Sequence, residues 1–292
     1  MANGILIIDK PAGWTSHDVV AKLRGILHEK RIGHAGTLDP MATGVLPVFV
    51  GRATRAVEFA AEREKEYIAG LRLGCVTDTQ DITGTILRQE SVSVDRAELE
   101  EVLDRFRGPI LQIPPMYSAV KKNGRKLYEL ARRGEEVERQ PRPVTIYELA
   151  LTAQTAPAEY TLRVLCSKGT YVRTLCHDIG QALGCGGTLC SLRRTRSAGF
   201  GLEAALTMEQ IVGMEDPCGA LLPVDSFFSG YPALTLFEPT QEKKVRNGNP
   251  VAFSGEDGTY RVYGPEGGFL ALGRMEAGRL KTIKSFFEVE QK

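Results

Sequence analysis

The chain has 292 residues, of which 42% are hydrophobic and 25% are charged, with a formal net charge of +1 at pH 7. This length is sufficient for roughly two folded domains, and the composition excludes a disordered or fibrous chain. The near-zero net charge excludes a uniformly basic protein, so any contact with nucleic acid must come from locally clustered charges.

We expect neither a membrane span nor a secretion signal. No apolar run approaches the roughly 20 residues that cross a bilayer, and the N-terminal run from Ile5 to Ile8 is closed by Asp9. The six cysteines form no C-x-x-C pair of the zinc-site type. We therefore expect a cytoplasmic protein with reduced thiols and no metal site.

Hydrophobic periodicity in the first part of the chain predicts strands and helices in alternation. Residues 5–8, 45–50 and 66–73 have strand patterns, and Pro47 marks the second as an edge or bulged strand. Thr15 or Ser16 can cap a first helix, and Asp95 can cap a second. Their apolar faces would carry Val19, Val20, Leu23, Ile26 and Leu27 in the first, and Leu99, Val102, Leu103 and Phe106 in the second.

The second part continues this mixture and then changes character. A helix over 125–133, a strand over 160–166 and a helix over 171–183 are predicted. Irregular interspersion of this kind favours an α+β fold with a mixed or antiparallel sheet. Strand-like pieces at 250–253, 260–263 and 269–272 predict a small β-rich module. We expect two domains, residues 1–230 and 231–292.

The segment from Gly33 to Pro40 is the strongest candidate for chemistry. It places His34 and Asp39 five residues apart in a loop that also contains Gly36. Glycine lets a backbone approach a ligand closely, and an aspartate held there is suited to nucleophilic or base chemistry. On its own, an Asp-Pro pair is more typical of a solvated turn.

Two further residues could complete such a site. Arg173 begins a helix after the 160–166 strand and could pair with a carboxylate on a neighbouring loop, which would favour the charged carboxylate. Tyr67 could stack on a base or move a proton. The ordinary alternatives are a surface arginine and a core tyrosine.

Residues 113–143 form a locally basic segment. They contain eight lysine or arginine residues and four glutamates, interleaved with Tyr117 and Tyr128 and bracketed by prolines. Such a segment suits an arm that grips phosphates, and a solvated surface helix is the alternative. The cations that we expect to contact RNA lie near its start: Lys121, Lys122, Arg125 and Lys126.

In this order, these motifs resemble the bacterial tRNA pseudouridine-55 synthases, the TruB family. The resemblance covers nearly the whole chain, and its segments are Asp9 to Ser16, Gly33 to Pro40, Glu66 to Gly74, Pro115 to Gly124, Lys168 to Arg173 and Leu192 to Arg194. It implies a pseudouridine-synthase core. The tail from about residue 232 resembles the family's PUA-type RNA-binding module.

The resemblance also implies roles for individual residues. Asp39 would be the catalytic aspartate, Arg173 its partner, and Tyr67 the proton acceptor against the target base. His34 would occupy the space vacated by the flipped uridine. Three other residues would complete the substrate site, with the last in a supporting role: Tyr171, Leu192 and Lys10.

The implied reaction isomerises the uridine at position 55 in the tRNA T-arm after the base is flipped out. This reaction needs no cofactor, metal or guide RNA. We expect tRNA to be the partner and the enzyme to be a monomer. Two rivals stay open: a guide-RNA-dependent pseudouridine synthase, a class that lacks the 113–143 insertion, and an RNA chaperone that remodels tRNA without chemistry. Whether Asp39 attacks the sugar, attacks the ring or removes a sugar proton also stays open.

Overall fold

The computed structural model describes residues 2–287, so residue 1 and residues 288–292, at the ends of the two predicted domains, lie outside the described residues. The helices are α1 (Ser16–Ile26), α2 (Val57–Glu62), α3 (Arg96–Asp104), α4 (Leu127–Ala131), α5 (Val172–Ala182), α6 (Met208–Val212) and α7 (Pro239–Arg246). Short 3-10 segments cover Gly51–Ala56, Leu202–Ala204, Pro217–Ala220 and Val224–Phe228. Within the described range, no helix is long and apolar enough to cross a bilayer.

The strands fall into two groups along the chain. Those up to residue 201 are β1 (Gly4–Lys10), β2 (Ile32–His34), β3 (Thr43–Val50), β4 (Lys65–Leu73), β5 (Cys75–Thr77), β6 (Ile86–Gln89), β7 (Gly108–Gln112), β8 (Lys121–Lys122), β9 (Arg125–Lys126), β10 (Arg142–Ala156), β11 (Glu159–Cys166), β12 (Gly187–Ser197) and β13 (Phe200–Gly201). Those beyond it are β14 (Ala233–Thr235), β15 (Val251–Ala252), β16 (Gly258–Tyr263), β17 (Phe269–Glu276) and β18 (Arg279–Ser285).

A mixed nine-stranded sheet forms the framework of the first group. Its order is β1-β3-β12-β4-β11-β10-β7, with β2 paired to β3 and β13 to β12. Strands β3 and β12 run parallel, whereas the other neighbours in this sheet are antiparallel. A five-stranded sheet follows, in the order β14-β16-β17-β18-β15. The α+β class and the mixed sheet predicted from the sequence are confirmed.

Local sequence signals explain where the main elements begin and which face they bury. Thr15 caps α1 in a capping box with Asp18, and Asp95 caps α3 in the same way with Glu98. In β11, alternate side chains are buried while Arg163 lies on the other face, as a strand with one face in the core requires. Helix α5 packs its apolar face on β12 and β4, which brings its first turn to the centre of the sheet.

The prediction that Pro47 marks an edge or bulged strand is wrong. Strand β3 lies between β1 on one side and β2 and β12 on the other, with regular register to β1. Pro47 is tolerated because β12 pairs with Thr43 and Gly44, and β2 pairs only from Val48 onward. Proline has no backbone N–H to donate, and no described strand pairs with Pro47 on the side of β3 that faces β2 and β12. On that side, the Pro47 carbonyl oxygen accepts a hydrogen bond from Ala35 N.

The arm and the tail also differ from their predicted elements. The helix expected over 125–133 is confined to α4, because residues 125 and 126 pair with 121 and 122 as a hairpin. Asn123 and Gly124 have φ of 50° and 81°, the turn conformation that an Asn-Gly pair favours. In the tail, β14 and β18 join the three predicted strands, and β14 pairs in parallel with β16.

Aromatic packing joins the small sheet to the large one. The ring of Phe228 lies 5.5 Å from Phe59 of α2 and 5.4 Å from Phe286, which follows β18, centroid to centroid. Beside it, Arg55 Nη1 donates to Ser285 Oγ at 2.8 Å. The two sheets thus meet through a shared apolar cluster and a direct hydrogen bond.

Candidate active site

The loop between β2 and β3 carries Asp39 and is tied to the N-terminal segment by backbone hydrogen bonds. The Ser16 hydroxyl accepts from Leu38 N at 2.9 Å and donates to Leu38 O at 3.2 Å. Gly13 N donates to Pro40 O at 2.8 Å. These contacts anchor the residues on either side of Asp39, although the loop lacks regular structure.

Lys10 contacts the backbone of this loop. Its side chain is fully buried, and Nζ donates to the carbonyl oxygens of Pro11, Trp14 and Pro40 at 2.8, 2.6 and 3.4 Å. Burial lowers the pKa of Lys10 to about 8, against the opposing charge of Asp39. The three N–H groups of Lys10 are thus used on backbone carbonyl oxygens, and the supporting role that the resemblance implies for Lys10 stays a prediction.

Asp39 and Arg173 form a two-pronged ion pair. Arg173 Nε lies 2.9 Å from Asp39 Oδ2, and Nη2 donates to Oδ1 at 3.2 Å. The Asp39 side chain is 37% exposed and the Arg173 side chain only 6%. Burial raises the pKa of Asp39, and the charge and hydrogen bond of Arg173 oppose that rise. One carboxylate is therefore fixed in orientation while it stays reachable from solvent.

The same guanidinium holds two other segments. Arg173 Nη1 donates to Thr79 O at 3.0 Å, and Nη2 donates to Tyr117 O at 2.9 Å. Asp81, which is also buried, lies 3.7 Å from Nη1. Arg173 thus joins the Asp39 loop, the turn after β5 and the start of the arm.

Tyr67 lies in β4 and is almost completely buried. It belongs to the same core cluster as Leu38 of the Asp39 loop, Leu192 of β12 and Val172 of α5. Burial raises the pKa of its phenol, while the positive charge of Arg194 opposes that rise. The phenol is therefore protonated at neutral pH in the resting protein.

The other expected substrate residues surround this centre. His34 is half-buried, its Nδ1 has no hydrogen-bond partner among the described residues, and burial lowers its pKa. Tyr171 precedes α5, and its N–H donates to Gln112 Oε1 at 3.0 Å. Burial raises the pKa of the Tyr171 phenol; the negative charge of Asp39 adds to that rise, and the positive charges of Arg142 and Arg173 oppose it. Leu192 is buried on β12 opposite Ala69.

The arm has a small core of its own. Its buried side chains are those of Met116, Leu127 and Leu130. Lys121 and Arg125 are exposed, whereas Lys122 Nζ donates to Glu138 O and Lys126 Nζ lies 5.4 Å from the centre of the Tyr128 ring. Of the four cations expected to contact RNA, two are thus free for a ligand and two also brace the arm.

Sequence reasoning missed several residues that build the site. The sequence assigned no role to Asp81, yet it is buried beside Arg173 and its Oδ1 accepts from the Thr79 hydroxyl and from Thr83 N. Arg194 was named only as the end of a matched segment, yet its side chain is fully buried. The alternation of β12 carried a usable signal, because Arg193 and Arg194 must point to opposite faces.

Models of known families match most of the chain. A model described as TruB family pseudouridylate synthase (N terminal domain) matches residues 24–172. One described as tRNA pseudouridylate synthase B C-terminal domain matches residues 173–229. One described as pseudouridine synthase II TruB, C-terminal, matches residues 232–283. The first includes Asp39, Tyr67 and the arm, and the second begins at Arg173.

Individual proteins are similar over nearly the full length. A tRNA pseudouridine synthase B from Clostridium kluyveri is 41% identical over 290 residues, covering 97% of this chain and 99% of the relative. Another from Syntrophomonas wolfei is 47% identical over 278 residues, covering 92% of each. Among solved structures, a Cbf5-Nop10-Gar1 complex aligns with a TM-score of 0.73 and 27% identity, over 98% of this chain and 85% of that chain. An H/ACA RNP bound to a substrate RNA containing 2'-deoxyuridine aligns with a TM-score of 0.73 and 25% identity, over 99% and 86%.

Proposed function

The chain belongs to the TruB family of pseudouridylate synthases, and we propose that Asp39, held by Arg173, is the residue on which its catalysis depends. The protein is an enzyme that isomerises the uridine at position 55 in the T-arm of tRNA to pseudouridine. The observation that carries the assignment of Asp39 is the two-pronged pair with a buried arginine. That pair keeps a carboxylate ionised and oriented at a site from which a bound base would exclude water.

The reaction breaks the C1′–N1 bond of uridine, rotates the uracil and forms a C1′–C5 bond. C5 then carries a proton that must leave, while N1 must gain one. Ionised Asp39 can attack the sugar, attack the ring or remove a sugar proton, and each route requires the carboxylate that Arg173 maintains. Tyr67 is the group that accepts the C5 proton, and Tyr171 and Leu192 line the pocket for the base.

The target base lies in a folded T-arm, so it must leave its stack at a cost of a few kcal/mol. His34, half-buried beside the loop, takes the space that the flipped uridine vacates. The exposed cations Lys121 and Arg125 contact phosphates. The five-stranded sheet acts as a PUA-like RNA-binding module, and the enzyme works in the cytoplasm as a monomer.

The enzyme acts without a guide RNA. Its relatives named tRNA pseudouridine synthase B are 41% and 47% identical, whereas the Cbf5-Nop10-Gar1 structure is 27% identical. The arm at residues 113–143 supplies contacts by which the protein itself can recognise an RNA. A role as an RNA chaperone without chemistry leaves the Asp39–Arg173 pair unexplained.

The test uses the purified full-length protein and a T-arm stem-loop with a 5-tritiated target uridine, without guide RNA. Tritium release is expected from the wild type and is lost in Asp39→Asn. The matched control Asp104→Asn removes an exposed carboxylate at the end of α3 and is expected to retain activity. RNA affinity should be retained in Asp39→Asn.

Three other results would overturn parts of the proposal. Tight binding without release by the wild type would indicate a chaperone or a guide-dependent enzyme. Release that survives Asp39→Asn would remove Asp39 from the chemistry. Loss of folding in Asp39→Asn, seen by circular dichroism, would make Asp39 structural.

A further inference from the structure

Arg194 is the largest side chain that is fully buried in the described residues. Its Nε donates to Val45 O at 2.7 Å, and Nη2 donates to Gly36 O at 2.9 Å. Within residues 2–287, no carboxylate lies within ion-pair distance of it. A buried cation without an anionic partner is costly, and a well-packed apolar side chain is often the more stable choice at such a position. Stability alone therefore does not explain an arginine here.

Strand pairing places Arg194 on β12, between β4, which carries Tyr67, and β3, which follows the Asp39 loop. The antiparallel register of β12 with β4 sets Arg194 directly opposite Tyr67. The parallel register with β3 sets it opposite Gly44, where a Cβ would lie 2.2 Å from Arg194 O. Its guanidinium thus binds the backbone on both sides of Asp39, at residues 36 and 45, while its strand neighbour is Tyr67.

The glycine at position 36 is part of this arrangement. Gly36 has a φ of +73°, which side chains rarely adopt, and a Cβ there would lie 3.1 Å from Arg194 Nη1. The glycine in the loop therefore lets the backbone carbonyl reach the guanidinium. The loop's conformation and the position of Arg194 depend on each other.

The surroundings of Arg194 are strongly cationic. Its charge lowers the pKa values of Lys10, Lys65 and His34, in addition to the effect of burial. Lys65 Nζ is committed to the carbonyl oxygens of Ala61 and Arg63. An excess of positive charge next to a phenol favours the phenolate, which opposes the effect of burial on Tyr67.

We propose that Arg194 is a positioning residue that acts through Tyr67, fixing the phenol against the Asp39 loop and stabilising negative charge on its oxygen during proton transfer. This inference rests on the proposed function. The resting phenol passes its proton to the uracil anion that leaves C1′. After the C1′–C5 bond forms, the phenolate takes the proton from C5, so that Tyr67 ends as it began. Arg194 stabilises the phenolate that exists between these steps.

The experiment measures single-turnover pseudouridine formation on the T-arm stem-loop between pH 6 and 9.5. It compares the wild type, Arg194→Gln, Arg194→Lys, Tyr67→Phe and the double variant Arg194→Gln/Tyr67→Phe. Arg196→Gln is the matched control, since it removes a half-exposed arginine from the same strand. Filter binding of the stem-loop separates affinity from rate.

Arg194→Gln should lower the rate roughly 100-fold near pH 7, in the range of a lost acid–base contribution. Burial raises the pKa of the Tyr67 phenol, so the phenol starts protonated across this pH range and the deficit should persist throughout it. The rate of Arg194→Lys should lie between those of the wild type and Arg194→Gln, and the RNA affinity of each variant should be unchanged. In the Tyr67→Phe background, Arg194→Gln should add little further loss.

A deficit that multiplies fully with that of Tyr67→Phe, or one that Arg194→Lys does not reduce, would make Arg194 merely structural and overturn the inference. If Arg194→Gln does not fold, the double variant Arg194→Lys/Tyr67→Phe decides by the same additivity criterion, because the lysine loses the two backbone contacts. Absence of pseudouridine from the wild type would instead refute the proposed function.

Discussion

Replacing Arg173 by methionine tests how the ionisation of Asp39 is maintained. The substitution keeps the bulk of the side chain and removes both contacts with the carboxylate, at 2.9 and 3.2 Å. Hydrogen bonds to charged groups contribute about 1.5–3 kcal/mol. Because the Asp39 side chain is 37% exposed, we take the lower end, about 1.5 kcal/mol, as the stabilisation that the charged carboxylate loses in the variant.

The sign follows from the physical cause. Burial raises the pKa of Asp39 and Arg173 opposes that rise, so the variant should raise the pKa of Asp39 further. The acidic limb of the single-turnover rate profile should therefore move to higher pH. The loss of activity should be larger at pH 5 than at pH 8, in addition to a pH-independent loss from poorer orientation.

The assay is tritium release across pH 4.5–8.5, with thermal unfolding of each variant as a check on folding. Arg72→Met is the matched control, since Arg72 is a half-exposed arginine on β4 that pairs with Glu159. Arg173→Lys keeps the positive charge but loses the two-pronged contact with Asp39, so the acidic limb of its rate profile should move less than that of Arg173→Met. An acidic limb that stays in place in a folded Arg173→Met would refute the argument that Arg173 acts on Asp39 ionisation.

Two further predictions concern the arm and helix α5. Neutralising Lys121, Lys122, Arg125 and Lys126 should weaken RNA binding and flatten the dependence of log affinity on log salt concentration. The exposed Lys121 and Arg125 should each change that slope by about 1. An unchanged slope would show that the arm does not contact the RNA. Burial raises the pKa of Asp178 from 3.8 to about 6, so its stabilising contribution is present at acidic pH and is lost as the pH rises through 6. Asp178→Asn should therefore unfold with a free energy about 1–2 kcal/mol higher than the wild type at pH 7, after discounting for partial exposure, and equal to it near pH 4. Urea unfolding at both pH values checks this, and a difference independent of pH would contradict it.

Much of the fold could be predicted because local signals and tertiary packing agree. The caps at Thr15 and Asp95 and the alternation of β11 each had a single physical explanation, and the structure has all three. The interior position of β3 could not be predicted, since it depends on a gap between β2 and β12 that only the assembled sheet creates. The hairpin in the arm could have been predicted from Asn123 and Gly124.

For the site, the sequence indicated residue types and the fold supplied their neighbours. The pairing of Arg173 with a carboxylate could be anticipated, but its bonds to Thr79 and Tyr117 join segments 94 and 56 residues away along the chain. The burial of Arg194 was not predicted, because arginine is usually exposed. Strand alternation indicates that Arg193 and Arg194 point to opposite faces, but only the register with Tyr67 shows which of the two is buried. The catalytic roles of Asp39, Tyr67 and the pocket residues stay predictions until the assays are done.

The aromatic contact between the two sheets has a consequence for how RNA affinity is divided. A module on a flexible linker adds affinity through an effective concentration that depends on the linker's length. Here Phe228 packs against both Phe59 and Phe286, and Arg55 bonds to Ser285, so no such free tether separates the small sheet from the catalytic framework. If the small sheet binds RNA as proposed, its distance from the catalytic framework is set by this packing, and an RNA gains from both surfaces only if its own shape already spans that distance. A stiff, correctly folded RNA would then lose little entropy on binding, whereas a misfolded RNA of the same sequence would reach only one of the two surfaces.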